Sequence, residues 1–502
     1  MPAPKARAST AWLSRWGPGP VPGLLMLAVA LVGAGHPVLS WDEIATADAA
    51  RRAPAQIWHL IQHIDGVFGA YYFLMHFWTA VAGTSELALR LPSIVAMVGA
   101  VALCGEIGRR LFDPITGTVA GVLLSLLPNT SRYAAEARPY AFACFFALLA
   151  LLLLHRVLDR PGRARWWGYG FAVLLLGLAH VIALTTLGAH LAVLVQRRHR
   201  PGWRRILAVW GVTVGTVVVA LGPVFWLGMR ERTAQLSWVA PLTLGSLWKF
   251  PGAVVGSVPG GWLLLGLALI AVLRPSRPLV EVMALALTPI AAVAAVSAFV
   301  APYWVPRYLL VVLAPLALTA AVGLVHGVSR PAPRTLTVPV LAAVTLLALA
   351  VYPAQRTVRG ATAKNGSDYR SAARIIARDL QPGDVIVYPA HSRTMRAGLD
   401  SYLRRYPHRP SDLLLTRDAA DVGSLRAQEY PDPTGRLRGA ARIWLFVYGT
   451  HPDPTTARRE LRPALNAGFR RAGIWYPHRA TLALFVRRTA APVRKPVPSA
   501  KK

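Results

Sequence analysis

The recurrence of apolar runs, most of about 15 to 25 residues, through the first 353 positions constrains this chain more than any other feature. About 20 apolar residues in a helix cross the hydrocarbon of a bilayer. Backbone in lipid must satisfy its own hydrogen bonds, so helices are the elements such runs can form. Runs at 21–40, 86–107, 115–131, 139–157, 166–181, 182–196, 205–228, 259–273, 279–299, 307–327 and 336–353 predict about eleven transmembrane helices. The stretch 166–196 reads either as two short helices turning near His180 or as one long tilted helix. Composition agrees: 54% of the 502 residues are hydrophobic and 15% are charged, against about 25% charged in soluble domains. The expected fold class is a polytopic α-helical membrane protein.

The formal charge of +33 does not point to nucleic acid, because of where the cations sit. Arg109 and Arg110, the stretch from His155 to Arg165, the stretch from Arg197 to Arg205, Arg274 and Arg277, and Arg330 and Arg334 occupy alternate loops. With Lys5, Arg7 and Arg15 they mark one side as cytoplasmic by the positive-inside rule, facing anionic membrane lipids. The chain is expected in the cell membrane, multi-pass, with residues 1–20 cytoplasmic. The outer side then receives Trp41 to Ser85, Arg132 to Arg138, Met229 to Val258, Ala301 to Arg307 and everything after Pro353. The apolar start also looks like a secretory signal, but the many later spans favour an uncleaved first helix. Cys104 and Cys144 fall inside spans and read as packing residues.

In the outer loop 41–85, Gln56 to Ile64 has helical spacing, and Tyr71 to Val81 reads as a helix lying in the interface. After Pro353 the composition changes. A helix from Ser367 to Leu380, a turn at Gln381 to Asp384, a strand at 385–388, a helix at 395–403 and strands at 443–448 and 482–486 predict a small extracytoplasmic α/β domain over 354–488. It has no glycine-rich phosphate loop. Residues 489–502 form a basic, proline-containing tail expected to be disordered.

Asp42 and Glu43 follow the first apolar run directly, as a topology marker, a helix cap or a catalytic pair. The motifs around them carry a resemblance. Ser40-Trp41-Asp42-Glu43 after the first span, the loop ending Tyr71-Tyr72-Phe73-Leu74-Met75-His76-Phe77-Trp78, then Ser85-Glu86-Leu87-Ala88-Leu89-Arg90-Leu91-Pro92-Ser93, and the turn Tyr133-Ala134-Ala135-Glu136-Ala137-Arg138-Pro139-Tyr140 resemble the C-type (GT-C) membrane glycosyltransferases. The nearest branch is the bacterial protein mannosyltransferase-like and dolichyl-phosphate-mannose-protein mannosyltransferase-like group. The resemblance is firm over about residues 20–200 and looser through Gln235-Leu236-Ser237-Trp238, Pro306-Arg307-Tyr308-Leu309 and Asp368-Tyr369-Arg370. Many relatives carry His-Pro-Pro before the paired tyrosines. This chain has Gly66-Val67-Phe68-Gly69-Ala70 there, so no role of that histidine carries over.

The resemblance implies an inverting transfer of a sugar, mannose first, from a polyprenyl-phosphate donor to a hydroxyl of a glycan, glycolipid or protein acceptor on the outer membrane face. Arabinose and aminoarabinose remain alternative sugars. Such a reaction needs a base for the acceptor proton and cations beside the departing phosphate. A carboxylate at a helix end by water stays ionised more cheaply than one deep in lipid. Asp42 is the expected base, which the resemblance also implies. For Glu43 three roles are open: orienting Asp42, holding a divalent cation (Mg or Mn), or raising the pKa of Asp42 by like-charge proximity. Arg138 or Arg132 is expected on the donor phosphate, with Glu136 fixing that arginine or a metal, and Arg307 is a second phosphate candidate. Asp65 reads as an acceptor or metal contact or a plain helix-end carboxylate. Tyr71, Tyr72, Tyr140, Gln235, Trp238 and Tyr308 are candidate substrate contacts. His180 and His190 read as core histidines. The rival function is a transporter or lipid flippase, which would place ionisable groups at mid-membrane; Glu106 and Glu281 lie near cytoplasmic ends instead.

Overall fold

The computed structural model describes residues 17–327, 333–390 and 392–488. The tail at 489–502 and the cations Lys5, Arg7, Arg15 and Arg330 lie outside them. The chain divides into two compact units: Met1–Pro37 with Ala49–Ala363, and Val38–Asp48 with Lys364–Lys502.

The first unit is helical. Among the described residues, six helices are long and apolar enough to cross a membrane: Glu86–Leu111, Tyr140–Asp159, Trp203–Ala220, Arg277–Phe299, Pro306–His326 and Thr337–Thr357. Leu244–Val255 and Val258–Val272 add a broken pair bent by 96°. Pro20–Leu31, Pro114–Leu126 and Val181–Gln196 are apolar but shorter. The apolar runs and the helices differ because breakers act inside the runs. Gly33, at φ +74°, turns the chain after Leu31. Pro128 starts a new short helix after Leu126. Two short elements turn at His180, Arg163–Ala179 before it and the 3-10 turn Val181–Thr186 after it.

Local chemistry sets the helix starts. Ser85 Oγ accepts from the Ala88 amide, and Asp113 accepts from Ile115 and Thr116 ahead of Pro114. Arg90 is fully buried inside Glu86–Leu111 and donates from Nη1 to the carbonyls of Ala34 (2.6 Å) and Pro37 (2.9 Å). A buried guanidinium keeps its charge only where such acceptors replace water, so this arginine pins the segment that leads into the acidic motif. Cys104 and Cys144 are buried packing residues with free thiols.

The second unit is α/β. Its strands are β1 (Val385–Val387), β2 (Ser411–Asp412), β3 (Leu415–Arg417), β4 (Gln428–Glu429), β5 (Arg442–Tyr448), β6 (Phe469–Trp475) and β7 (Ala480–Arg487). The main sheet runs β2-β1-β5-β7-β6, with β1 parallel to β2 and β5, and β7 antiparallel to β5 and β6. Alternation along β5 gives it two faces. Ile443, Leu445 and Val447 pack with Val387, Leu461, Leu465 and Phe485. Trp444, Phe446 and Tyr448 take the other face, where Tyr369 packs on Phe446 and on Tyr402. Asp368 caps the helix Tyr369–Asp379 by accepting from the Ser371 amide.

Candidate active site

The acidic motif starts a helix, Trp41–Ala50, whose residues up to Asp48 belong to the second unit although they lie at the other end of the sequence. The Ser40 amide donates to Glu43 Oε2 (2.9 Å), and the Glu43 amide donates to Ser40 Oγ (3.2 Å). This is a reciprocal capping box. The Trp41 amide donates to the Asn365 carbonyl (2.8 Å), and the Leu39 amide donates to the Tyr402 hydroxyl (3.0 Å). Gly366 lies so close that a Cβ there would sit 2.6 Å from the Leu39 carbonyl oxygen.

Lys364 Nζ donates to Glu43 Oε1 at 2.8 Å, with both side chains buried. Of the three roles open for Glu43, cation binding and like-charge pressure on Asp42 fit poorly with a carboxylate neutralised by an ammonium. A structural role fits: Glu43 holds the first turn of the helix. Asp42 is half-buried, the more accessible of the two carboxylates.

The outer-loop residues of the first unit form a second cluster. Asp65 has φ +60° and precedes the 3-10 turn Gly66–Phe68. A Cβ on Gly66 would lie 2.8 Å from both the Ile61 carbonyl oxygen and the Leu227 side chain, so only glycine allows this approach. The Tyr72 hydroxyl donates to Asp65 Oδ2 (2.6 Å), and Gln235 Nε2 donates to Asp65 Oδ1 (3.1 Å) and Glu231 Oε2 (2.5 Å). The Gly66 amide donates to Glu231 Oε1 (3.1 Å). Burial, then the Asp65 charge, raises the Tyr72 phenol well above its ordinary value, so it is a fixed donor to the carboxylate. Burial also raises the Glu231 carboxyl above the usual range, with the Gly66 amide opposing it.

Arg138 joins this cluster. Its Nη1 lies 3.4 Å from the Tyr72 hydroxyl, and its guanidinium stacks 4.2 Å from the Phe68 ring centre. Phe68 and Val67, from the stretch where relatives carry His-Pro-Pro, line a cavity of about 420 Å³. The rest of its wall is mostly apolar, with His180, Thr185, Arg232, Gln235, Tyr303 and Tyr308 as the polar exceptions. Arg307 stacks over Trp238 (5.2 Å) and Tyr308 (5.7 Å). An aromatic chain runs from Tyr133 to Tyr140, His180 and Tyr308 at ring separations of 5.4 to 5.6 Å.

The expected residues therefore fall into groups. Asp65, Tyr72, Arg138 and Gln235 converge by hydrogen bonds, while Tyr140, Arg307, Tyr308 and Trp238 form the aromatic side. Trp238 is exposed, its indole nitrogen donating to the Gln235 carbonyl. Tyr71 is buried against Phe142, which fits packing rather than sugar contact. Arg132 stacks on Tyr133, and Glu136 is buried. His190 is a core histidine bonded to the Tyr169 hydroxyl (2.9 Å). Among the described residues no group of three or more His, Cys, Asp or Glu side chains is placed to hold a metal ion. Glu43 is ion-paired and Asp65 is occupied by Tyr72 and Gln235, so these two of the three expected cation ligands fit a resident cation poorly. Sequence reading missed Glu231 and Arg232. The run Met229-Arg230-Glu231-Arg232 at the end of an apolar stretch was the available signal.

Residues 70–227 match the family model described as dolichyl-phosphate-mannose-protein mannosyltransferase. No curated protein sequence matches the chain. Among solved structures, the fold is similar to that of ArnT from Cupriavidus metallidurans bound to undecaprenyl phosphate: TM-score 0.61 at 15% identity, over 92% of this chain and 97% of that one. The apo form of the same protein gives 0.59 at 17% identity, over 95% and 98%. The mycobacterial arabinofuranosyltransferase AftD gives 0.52 at 16% identity, over 93% of this chain and 40% of that one.

Proposed function

From a chain built on the fold of the C-type membrane glycosyltransferases, we propose that this protein is an inverting glycosyltransferase that takes its sugar from a polyprenyl-phosphate donor. The observation that carries the reading is the apolar cavity with an arginine in its wall: Arg232 among Phe68, Val224, Phe225, Val293 and Val296. Apolar walls suit a prenyl chain, and a cation in a site of low polarity suits a phosphate. In this reading Arg232, Arg138 and Arg307 serve the donor phosphate, and Tyr308 and Gln235 serve the prenyl or sugar end. ArnT, with its undecaprenyl phosphate, supports the donor class.

The chemistry assigned to the residues is one displacement. Asp42 accepts the proton of the acceptor hydroxyl as that oxygen attacks the anomeric carbon. The bond from that carbon to the phosphate oxygen breaks, its electron pair leaves with the polyprenyl phosphate, and the arginines stabilise the released charge. Attack opposite the leaving group inverts the anomeric centre. The reading places the reaction on the outer membrane face with the amino terminus cytoplasmic. Mannose is the first sugar to test, because the matching family model names it.

The test compares wild type with Asp42→Asn in membranes supplied with radiolabelled polyprenyl-phosphate mannose, with arabinose and aminoarabinose donors in parallel. Transfer by wild type and a fall of about 10²–10⁴-fold in Asp42→Asn are expected. Equal incorporation by the two proteins removes Asp42 from the mechanism. A cytoplasm-only reporter active after Pro353 overturns the orientation.

A further inference from the structure

The carboxyl end of β5 is built around exposed aromatics whose packing alone does not explain them. Trp444 and Phe446 are fully buried, but the next residue on that face, Tyr448, is 46% exposed. The Trp41 ring, 37% exposed, meets Tyr448 edge-on at 5.6 Å. Tyr476, also exposed, lies in the β6–β7 turn, and the register Tyr448↔Ala480 brings that turn to the end of β5. Open α/β sheets bind ligands outside the carboxyl ends of their strands.

The surrounding backbone is locked. Arg479 takes a left-handed φ of +54°, which a non-glycine residue adopts only when its surroundings enforce it. Its carbonyl accepts from the Gly449 amide and from Ser367 Oγ, each at 2.9 Å. Its Nη1 donates to Asn365 Oδ1 (3.3 Å), and the Asn365 carbonyl in turn holds the Trp41 amide. On the other side the His451 amide donates to Thr481 Oγ1 (2.9 Å), which donates to the Gly449 carbonyl (2.8 Å). His451 Nε2 also bonds the Tyr448 carbonyl (2.9 Å), so the backbone under the Tyr448 ring is held, and Trp41 shares the first turn of its helix with Asp42.

We infer that Trp41 and Tyr448 form an acceptor subsite that stacks a sugar ring. This deepens the transferase reading and rests on it: the acceptor is a glycan, and the subsite lies next in sequence to the proposed base. Apolar C–H faces of a sugar ring pack on aromatic rings, and polar side chains at the rim orient its hydroxyls. Arg479, in the turn that leads into β7, supplies such a rim group.

The test uses the full chain in lipid nanodiscs with mannotriose as the probe. Saturation-transfer NMR without donor is expected to show ring contacts in wild type and Tyr448→Phe, and their loss in Trp41→Leu and Tyr448→Leu. With donor present, the two leucine variants are expected to raise the mannotriose KM about tenfold, the size of an aromatic stacking term. Hydrolysis of donor without acceptor stays unchanged in both, which shows that they fold and hold donor. Leucine variants with wild-type contacts and KM overturn the subsite. So does a serine- and threonine-containing peptide accepting sugar where mannotriose shows no contact. Mannotriose contact in wild type without any transfer counts against the transferase reading and leaves the subsite standing.

Discussion

Lys364 Nζ sits 2.8 Å from Glu43 Oε1 across 321 positions of sequence, with the lysine 3% and the glutamate 0% exposed. Burying two charges is costly, and they persist only where geometry is good and further hydrogen bonds serve them. Glu43 meets that condition through the Ser40 amide. The pair fixes the turn that carries Asp42, so the buried carboxylate holds the half-buried one in place.

Breaking this pair is expected to cost more than removing it. Lys364→Met leaves the buried carboxylate without its ammonium partner, a loss of about 3–5 kcal/mol. Glu43→Gln combined with Lys364→Met leaves no buried charge and is expected to recover most of that. Apparent melting temperatures of the purified proteins decide this. A double variant no more stable than Lys364→Met would show that the pair is not the reason.

Tyr72→Phe removes the hydroxyl that bridges Asp65 and Arg138. A buried acceptor left short of a donor costs about 1–3 kcal/mol. The expected outcome is lower thermal stability together with a higher donor KM. A variant unchanged in both would detach the Tyr72 hydroxyl from the proposed donor contact of Arg138.

Gly66→Ala tests the turn that aims Asp65. The added methyl meets the Ile61 carbonyl and Leu227 at 2.8 Å, so the loop must shift at a cost of about 1–3 kcal/mol. Unchanged stability and transfer would show that this turn yields freely.

Arg232→Met keeps the apolar volume of the cavity wall and removes its charge. Hydrogen bonds to charged groups contribute about 1.5–3 kcal/mol, so the donor KM is expected to rise roughly tenfold to a hundredfold. The KM of the acceptor serves as the internal control. An unaffected donor KM sinks the phosphate role.

Glu231→Gln carries a pH signature. Burial raises the folded-state pKa of Glu231 above its unfolded value. The folded protein therefore holds that proton more tightly, and stability is lost as pH rises from the unfolded value through the raised folded one. The glutamine variant lacks this loss. Its stability relative to wild type is expected to increase from acid to neutral pH, as read by melting temperature across that range. A relative stability that falls over the range contradicts the assignment.

Much of the helical architecture was legible because lipid reads sequence locally: a run of apolar residues has few alternatives to a helix there. The strands at 385–387, 442–448 and 480–487 were likewise visible as apolar segments bounded by turns. β6 was not, because Phe469-Arg470-Arg471-Ala472-Gly473-Ile474-Trp475 is an edge strand with arginines to solvent and carries no apolar alternation. Asp42 and Glu43 were legible as a pair, but their division of labour was not. It depends on Lys364, which no local pattern links to them. Arg232 in the cavity wall and Glu231, which bonds Gly66 and Gln235, escaped for the same reason, since a charged run at the end of a span is ordinary until a cavity forms beside it. The sequence by itself determined a helical, membrane-type chain with an acidic motif after its first apolar run, because hydrophobic periodicity and backbone hydrogen bonding act over neighbouring residues. Only the tertiary structure decided which carboxylate is fully buried and paired with Lys364 and which is half-buried, because burial and ion pairing depend on groups hundreds of positions apart in the chain.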